Sequence, residues 1–172
     1  EMTLVGSKKR NIDQGLYHTP YHYTTLDALG DPSSFDVIFS AVDSSVSHPW
    51  VLQNYDKIQF LIDKGSSFRM NKDIPLVVPS LHNQALAGHK IIASPNCVAI
   101  QLSIALKPIL DYIREDFLVI TTLQSVSGSG KQALEELERQ SPASSVYPFG
   151  VHDNVLYQCG DFVGDAVTTV LH

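Results

Sequence analysis

Lys90-Ile91-Ile92-Ala93-Ser94-Pro95-Asn96-Cys97-Val98-Ala99-Ile100-Gln101-Leu102 decides how this chain is read. The short apolar strand 90–93 stops at Pro95, which has no N–H to give to a ladder, and Asn96 is a favoured helix N-cap. From Cys97 onward, Val98, Ile100, Leu102, Ala105, Leu106, Ile109 and Leu110 predict a largely buried helix. A strand that turns at once into a helix is an α/β unit, and the turn sets Cys97 on the first helical residue. Unpaired amides at a helix start favour negative charge, which is the setting of a nucleophilic thiolate. The plainer reading of a lone cysteine is a small apolar side chain packed in a core.

The same alternation continues upstream. Residues 35–41, Phe-Asp-Val-Ile-Phe-Ser-Ala, read as a buried strand, residues 44–57 as a helix in spite of Pro49, and residues 59–62 as the next strand. That pace of strand and helix argues for a parallel α/β sheet. Met2-Thr3-Leu4-Val5-Gly6 reads as a further short buried strand that runs into the bases Lys8, Lys9 and Arg10. Residues 11–32 are polar, carry Gly15, Pro20, Gly30 and Pro32, and read mostly as connection.

Downstream, residues 117–123 read as a strand leading to Gln124, residues 131–140 as a charged amphipathic helix, and residues 141–145 as a turn-prone link. Between them Ser127-Gly128-Ser129-Gly130-Lys131 resembles a nucleotide P-loop only superficially. That motif needs glycine where Ser125 stands and Ser or Thr where Gln132 stands.

Composition narrows the function classes. The chain has 172 residues, 44% of them hydrophobic, which is enough for a real core in one or two small domains. Its 18 acids against 12 bases, a net charge of -6, give no general basic field for nucleic acid. No apolar run is long enough to span a bilayer and the first residues lack a secretory pattern, so a cytoplasmic protein is the simplest expectation. Cys97 and Cys159 make neither a disulfide framework nor a zinc spacing. His18 and His22 flank Pro20 and so do not share a helix face, and no metal site is predicted.

Four ordered stretches resemble the aspartate-semialdehyde dehydrogenase family. Asp63-Lys64-Gly65-Ser66-Ser67-Phe68-Arg69-Met70, with Asp73 to Pro79 behind it, is similar to the family's Asp-Asn-Ser-Ser-Ala-Phe-Arg-Met segment and its continuation. Ser94-Pro95-Asn96-Cys97 resembles its nucleophile motif, Gln124-Ser125-Val126-Ser127-Gly128-Ser129-Gly130 its Gln-Ala-Val-Ser-Gly-Ala-Gly loop, and Ser7-Lys8-Lys9 its Ser-X-Arg segment. The resemblance implies an α/β fold, an incomplete Rossmann-type NADP-binding domain over residues 1–95 followed by the start of an α+β catalytic and dimerisation domain over residues 96–172. It implies NADPH-dependent reduction of aspartyl 4-phosphate to aspartate semialdehyde and phosphate, on the way to lysine, threonine and methionine, in a homodimer or tetramer. Cys97 would then be the nucleophile and Gln124 would orient the substrate carbonyl. Ser66, Arg69 and Asn96 would bind substrate or phosphate, and Ser7, Lys8, Lys9, Ser40, Ala41, Ser127 and Gly128 would meet the cofactor.

The chain also departs from the pattern. Val42 and Asp43 stand where two glycines normally approach the dinucleotide, Ser80 and His82 replace an acid and an amide, and Tyr157 replaces a proline. The family's glycine-rich turn, substrate arginine and acid/base histidine find no counterpart in the sequence, so the chain alone is expected not to turn over. In a 3-2-1-4 strand order the absent first strand would lie between Met2 to Gly6 and Val37 to Ala41, which predicts a gap in the sheet. Two other readings share these features: an N-acetyl-glutamyl-phosphate reductase with the same cysteine logic, and a degenerate, non-catalytic homologue acting as a dimerisation or binding module.

Overall fold

The structure, a computed structural model, describes residues 2–6, 21–81, 86, 88–110, 112, 119–156, 162–163 and 166–167. Residue contacts divide the chain into a first unit that runs to Ile100 and a second from Gln101 to Leu171, so the division falls inside one helix.

In the first unit, β3 (Ile38–Ser40), β4 (Leu61–Asp63) and β5 (Ile91–Ala93) form a parallel sheet in that order, with Ile38 opposite Leu61 and Leu61 opposite Ile91. Side chains alternate along a strand, so Leu61 shares a face with Ile91 and Ala93. That face is the core: these three residues are buried with Val51, Ile58 and Phe68, and Ile38, Trp50, Ile74 and Leu76 pack around them. Val51 and Trp50 come from α1 (Ser44–Asn54), which crosses the sheet there. Asp43 starts α1 by accepting the Ser45 N–H at 2.8 Å, and Pro49 sits inside the helix, where it removes one rung of the ladder. Lys57 and Ile58 both donate to the Asn54 carbonyl, which ends the helix three residues before the expected end at 57.

The expected strand 35–41 is shorter than its composition suggests. Phe35 N–H is bound to Pro32 O at 3.2 Å in a 3₁₀ turn, Pro32–Ser34, so the ladder begins only at Ile38, whose N–H reaches Phe60 O at 2.9 Å. Residues 11–32 are not all connection either. Tyr21–Thr25 is a strand, β2, paired in parallel with β1 (Met2–Gly6), because aromatic and β-branched residues suit a pleated surface even in a polar neighbourhood. Among the described residues β1 pairs only with β2, and β3 only with β4. The neighbour relations β2-β1 and β3-β4-β5 are those of a doubly wound 3-2-1-4-5-6 sheet, but β1 and β3 share no hydrogen bonds.

Helix α2 (Cys97–Leu106) starts where the sequence places it, and gives way to a 3₁₀ turn, Lys107–Ile109, around Pro108. It is not the largely buried helix its apolar residues predict: none of its residues is buried, and Ile104, Ile109 and Leu110 are exposed. In the second unit the expected strand 117–123 forms no ladder over its described part, and Val119 and Leu123 are 80% and 91% exposed. A β-branched run becomes a strand only when its backbone groups find a partner. Helix α3 (Lys131–Glu138) stops two residues short of its expected end, because Gln140 turns to φ 54° and Ser141 N–H closes back on Glu136 O at 3.0 Å. A short antiparallel pair, β6 (Phe162–Val163) and β7 (Ala166–Val167), lies in a stretch where no strand was expected.

Candidate active site

Parallel strands deliver their loops to one edge, and in open α/β sheets ligands bind beyond the carboxyl ends. Here β3, β4 and β5 end level, with Ser40 opposite Asp63 and Asp63 opposite Ala93, so three loops leave from the same edge.

The loop after β5 carries the thiol. Ser94 N–H binds Asp63 O at 2.8 Å, which holds the exit of β5 to β4. Asn96 Oδ1 accepts the Val98 N–H at 2.9 Å and Asn96 O accepts the Ile100 N–H at 3.0 Å, so Asn96 caps α2. Cys97 is exposed, and its Sγ lies 3.8 Å from Asn96 Oδ1.

The loop after β4 reaches both of its neighbours. Phe68 is buried, with the His48 ring edge-on at 5.2 Å, and this anchors the loop under α1. Arg69 then points along the carboxyl edge: Nε donates to Ser94 O at 2.9 Å and Nη2 to Lys64 O at 3.0 Å. The guanidinium thus ties the loop of β4 to the segment that presents Cys97. On the other side Ser66 N–H donates to Ser44 Oγ at 3.0 Å, the two hydroxyls are 3.1 Å apart, and Lys64 N–H binds Ser40 O at 2.9 Å.

The turn after β3 explains one departure from the family pattern. Asp43 spends its carboxylate on the Ser45 hydroxyl at 2.6 Å and amide at 2.8 Å, and those bonds, the hydroxyl first, hold its pKa below the usual carboxylate range. Ala41 and Val42 are exposed beside it. Under this turn Asp63 is fully buried with both carboxylate oxygens unpartnered, and the Ser40 and Ser47 hydroxyls are likewise buried without partners. Ser44 and Asp63 are the site residues that sequence reasoning missed: the Ser44 to Ser66 contact spans 22 positions, and Asp63 was quoted only as the first letter of a motif.

In the second unit Gln124 is exposed, and Ser125 opens a 3₁₀ turn, Val126–Ser129, by accepting the Ser127 hydroxyl at 3.0 Å and its N–H at 3.4 Å. Gly130 needs to be glycine because its φ is 91°. Gly128 has no such need, and a Cβ there would meet nothing within 4 Å, so its backbone face is open to a ligand. A hollow of about 580 Å³, lined by Pro142, Phe149, His152 and Asn154 among others, contains none of the predicted site residues. Ser7, Lys8, Lys9, His18, His82, Tyr157 and Cys159 lie outside the described residues.

A nicotinamide dinucleotide fits the first unit at the carboxyl end of β3, where the Ser40 hydroxyl is orphaned and Ala41 is exposed. In the second unit Gly128 bares its backbone. Among the described residues no group of three His, Cys, Asp or Glu is placed to hold a metal ion, and no helix is long and apolar enough to cross a membrane.

Residues 4–89 match the family described as semialdehyde dehydrogenase, NAD binding domain, and residues 106–169 match semialdehyde dehydrogenase, dimerisation domain. Aspartate-semialdehyde dehydrogenase of Shewanella violacea is 38% identical over 149 residues, covering 80% of this chain and 44% of its own length. That of Rickettsia bellii is 36% identical over 159 residues, covering 85% and 46%. The crystal structure of aspartate semialdehyde dehydrogenase II from Vibrio cholerae superposes with a TM-score of 0.75 at 30% identity, over 84% of this chain and 46% of that one. A second structure of that protein, complexed with ASA, gives 0.71 at 28%. The chain spans less than half the length of the curated relatives it matches.

Proposed function

The chain belongs to the semialdehyde dehydrogenase family, and from that membership we propose that it serves the NADPH-dependent reduction of aspartyl 4-phosphate to aspartate semialdehyde and phosphate, in the synthesis of lysine, threonine and methionine. The observation that carries the proposal is the exposed Cys97 at the capped start of α2, held by Asn96 and, through the Ser94 carbonyl, by Arg69.

In this reading Cys97 attacks the acyl carbon as the thiolate, the carbon–oxygen bond to phosphorus breaks, and phosphate leaves with the electron pair, so that the acyl group rests on Cys97 as a thioester. Asn96 Oδ1 already occupies the Val98 N–H, which leaves the Cys97 N–H to face the developing oxyanion. Arg69 has Nε and Nη2 engaged, so Nη1 and the exposed Ser66 hydroxyl are its contribution to the departing phosphate. Gln124 addresses the substrate carbonyl, and Ser40, Ala41, Ser127 and Gly128 address the dinucleotide. When bound, that cofactor supplies the hydride that brings the acyl carbon to the aldehyde level.

Brief exposure of the chain to a chloromethyl ketone analogue of aspartate semialdehyde, followed by peptide mass spectrometry, is expected to find the label on Cys97 and to find it slowed by inorganic phosphate. Labelling of Cys159 first, or a rate at Cys97 indifferent to phosphate, overturns the proposal. NADP is proposed over NAD because Ser7, Lys8 and Lys9 bring two positive charges to the segment that resembles the family's 2'-phosphate contact. Changing both lysines to Glu should weaken NADP binding at least tenfold more than NAD binding, since the extra phosphate carries roughly two negative charges; equal losses would remove this assignment. Self-association is proposed from the match of residues 106–169 to a dimerisation domain, in and beside which Ile104, Ile109, Leu110 and Val119 are exposed. A strictly monomeric sedimentation profile at high protein concentration would exclude it for this chain.

A further inference from the structure

We infer that Ser44, which has no part in the family motifs above, is a positioning residue for the phosphate subsite: its hydroxyl sets the direction in which the Ser66 hydroxyl donates. The inference rests on the proposed reading of Ser66 and Arg69 as a phosphate site.

Ser44 is the first residue of α1, and the Asp43 cap leaves its hydroxyl alone, because that carboxylate is engaged by the amide and hydroxyl of Ser45. Ser44 Oγ instead turns to the neighbouring loop, where it accepts the Ser66 N–H at 3.0 Å and stands 3.1 Å from Ser66 Oγ. Ser67 Oγ lies 3.5 Å from the Ser44 carbonyl, a third tie between the same two segments. Gly65 keeps this approach open, since a Cβ there would sit 2.9 Å from Ser44 Oγ.

A hydroxyl has one proton and two lone pairs, and the Ser66 N–H takes one lone pair of Ser44. The bond between the two hydroxyls can then run in either sense. If Ser66 donates to Ser44, Ser66 shows only lone pairs to the outside; if Ser44 donates to Ser66, Ser66 keeps its own proton for a ligand. The PO3 group of an acyl phosphate dianion, like the unprotonated oxygens of inorganic phosphate, only accepts, so it selects the second sense. The chain of bonds becomes Ser44 O–H to Ser66 Oγ, then Ser66 O–H to the phosphate oxygen, with the Ser66 N–H feeding Ser44 from behind. Each link polarises the next. Ser66 is exposed, so its proton is at the surface where the anion arrives.

The test is the affinity of the 172-residue chain for inorganic phosphate, titrated at constant ionic strength, with thermal unfolding of each variant recorded alongside. Ser44→Ala should weaken binding about fivefold, the net worth of one ordinary hydrogen bond. Ser66→Ala should weaken it at least as much, and the double variant should bind no worse than Ser66→Ala alone, because Ser44 acts only through Ser66. Ser44→Thr keeps the hydroxyl and should stay within about twofold of the parent. Unchanged phosphate affinity in Ser44→Ala, with or without a lower melting temperature, overturns the inference. Additive losses in the double variant overturn it, as does a Ser44→Thr variant as weak as Ser44→Ala. If the parent chain itself does not bind phosphate, the reading of Ser66 and Arg69 as a phosphate site fails first, and the relay with it.

Discussion

Arg69 spends two of its nitrogens on the Ser94 and Lys64 carbonyls, and an ammonium cannot reproduce that fork, because Lys carries its charge as a single point at the end of a flexible stem. Arg69→Lys should therefore release one of the two carbonyls and lower stability to urea by about 1–2 kcal/mol, the net worth of a partly exposed hydrogen bond to a charged group. The same change should alter the alkylation rate of Cys97, since the Ser94 carbonyl lies three residues before the thiol. A variant with the stability and the Cys97 reactivity of the parent would show that the fork holds nothing. The residues legible from sequence were those whose partners are close in the chain: Asn96 is an N-cap by its own chemistry and its bond goes to Val98, two positions on. Asp43 stands where the family pattern has a glycine beside the dinucleotide, and an acid ahead of Ser44-Ser45-Val46-Ser47 is also a cap signal, which is the role it has here. Ser44 was hidden because nothing local reveals a contact made across 22 positions.

Helix α3 shows the same limit for an element, since its amphipathic pattern is plain but its hold on the following link is not. Glu136 accepts the Ser144 hydroxyl at 2.5 Å and the Ser145 hydroxyl and amide at 2.5 and 3.1 Å, which folds the turn-prone link back on the helix. Those bonds, Ser144 first, lower the Glu136 pKa. A carboxylate with a depressed folded pKa contributes stability that is fully present above its unfolded pKa and is lost as pH falls through the folded one. Protection of the Ser145 and Tyr147 amides from hydrogen exchange should thus decline as the solution is acidified below about pH 4.5. Glu136→Gln should show weaker protection throughout, with no decline in that window; an identical pH profile in both proteins would mean that the link is held by something else. The strands were harder to read than the helices for a related reason. Tyr21–Thr25 has a partner in β1 and is a strand within a polar region, whereas residues 119–123 have the composition of a strand and no ladder among the described residues.

For the molecule, the decisive fact is where apolar burial is concentrated: apart from Pro32, Pro95, Ala133 and Val151, every buried apolar side chain among the described residues lies between Val51 and Ala93. The α/β class was legible because the alternation of strand and helix is written in sequence order, but the burial was not, because it depends on which faces find cover. Phe39, on the edge strand β3, is 69% exposed in a sheet type that is ordinarily covered on both faces. Among the described residues the β1-β2 pair and the β3-β4-β5 sheet share no ladder, so no ladder hydrogen bond described there makes the unfolding of one require the unfolding of the other. Leu61 tests this directly. It is fully buried at the start of the central strand β4, inside the cluster formed with Val51, Ile58, Phe68, Ile91 and Ala93. Leu61→Ala should cost about 2–5 kcal/mol, the range for a large-to-small change in a packed core. The loss should appear in the exchange protection of the Ile38 and Leu61 amides, which bond across that sheet to Phe60 and Lys90. The amides within β1 and β2 should keep their parent protection, because their ladder does not touch the altered core. Equal loss of protection in both sheets would mean that they unfold as one cooperative body, and that coupling carried by side chains alone joins what the backbone leaves apart.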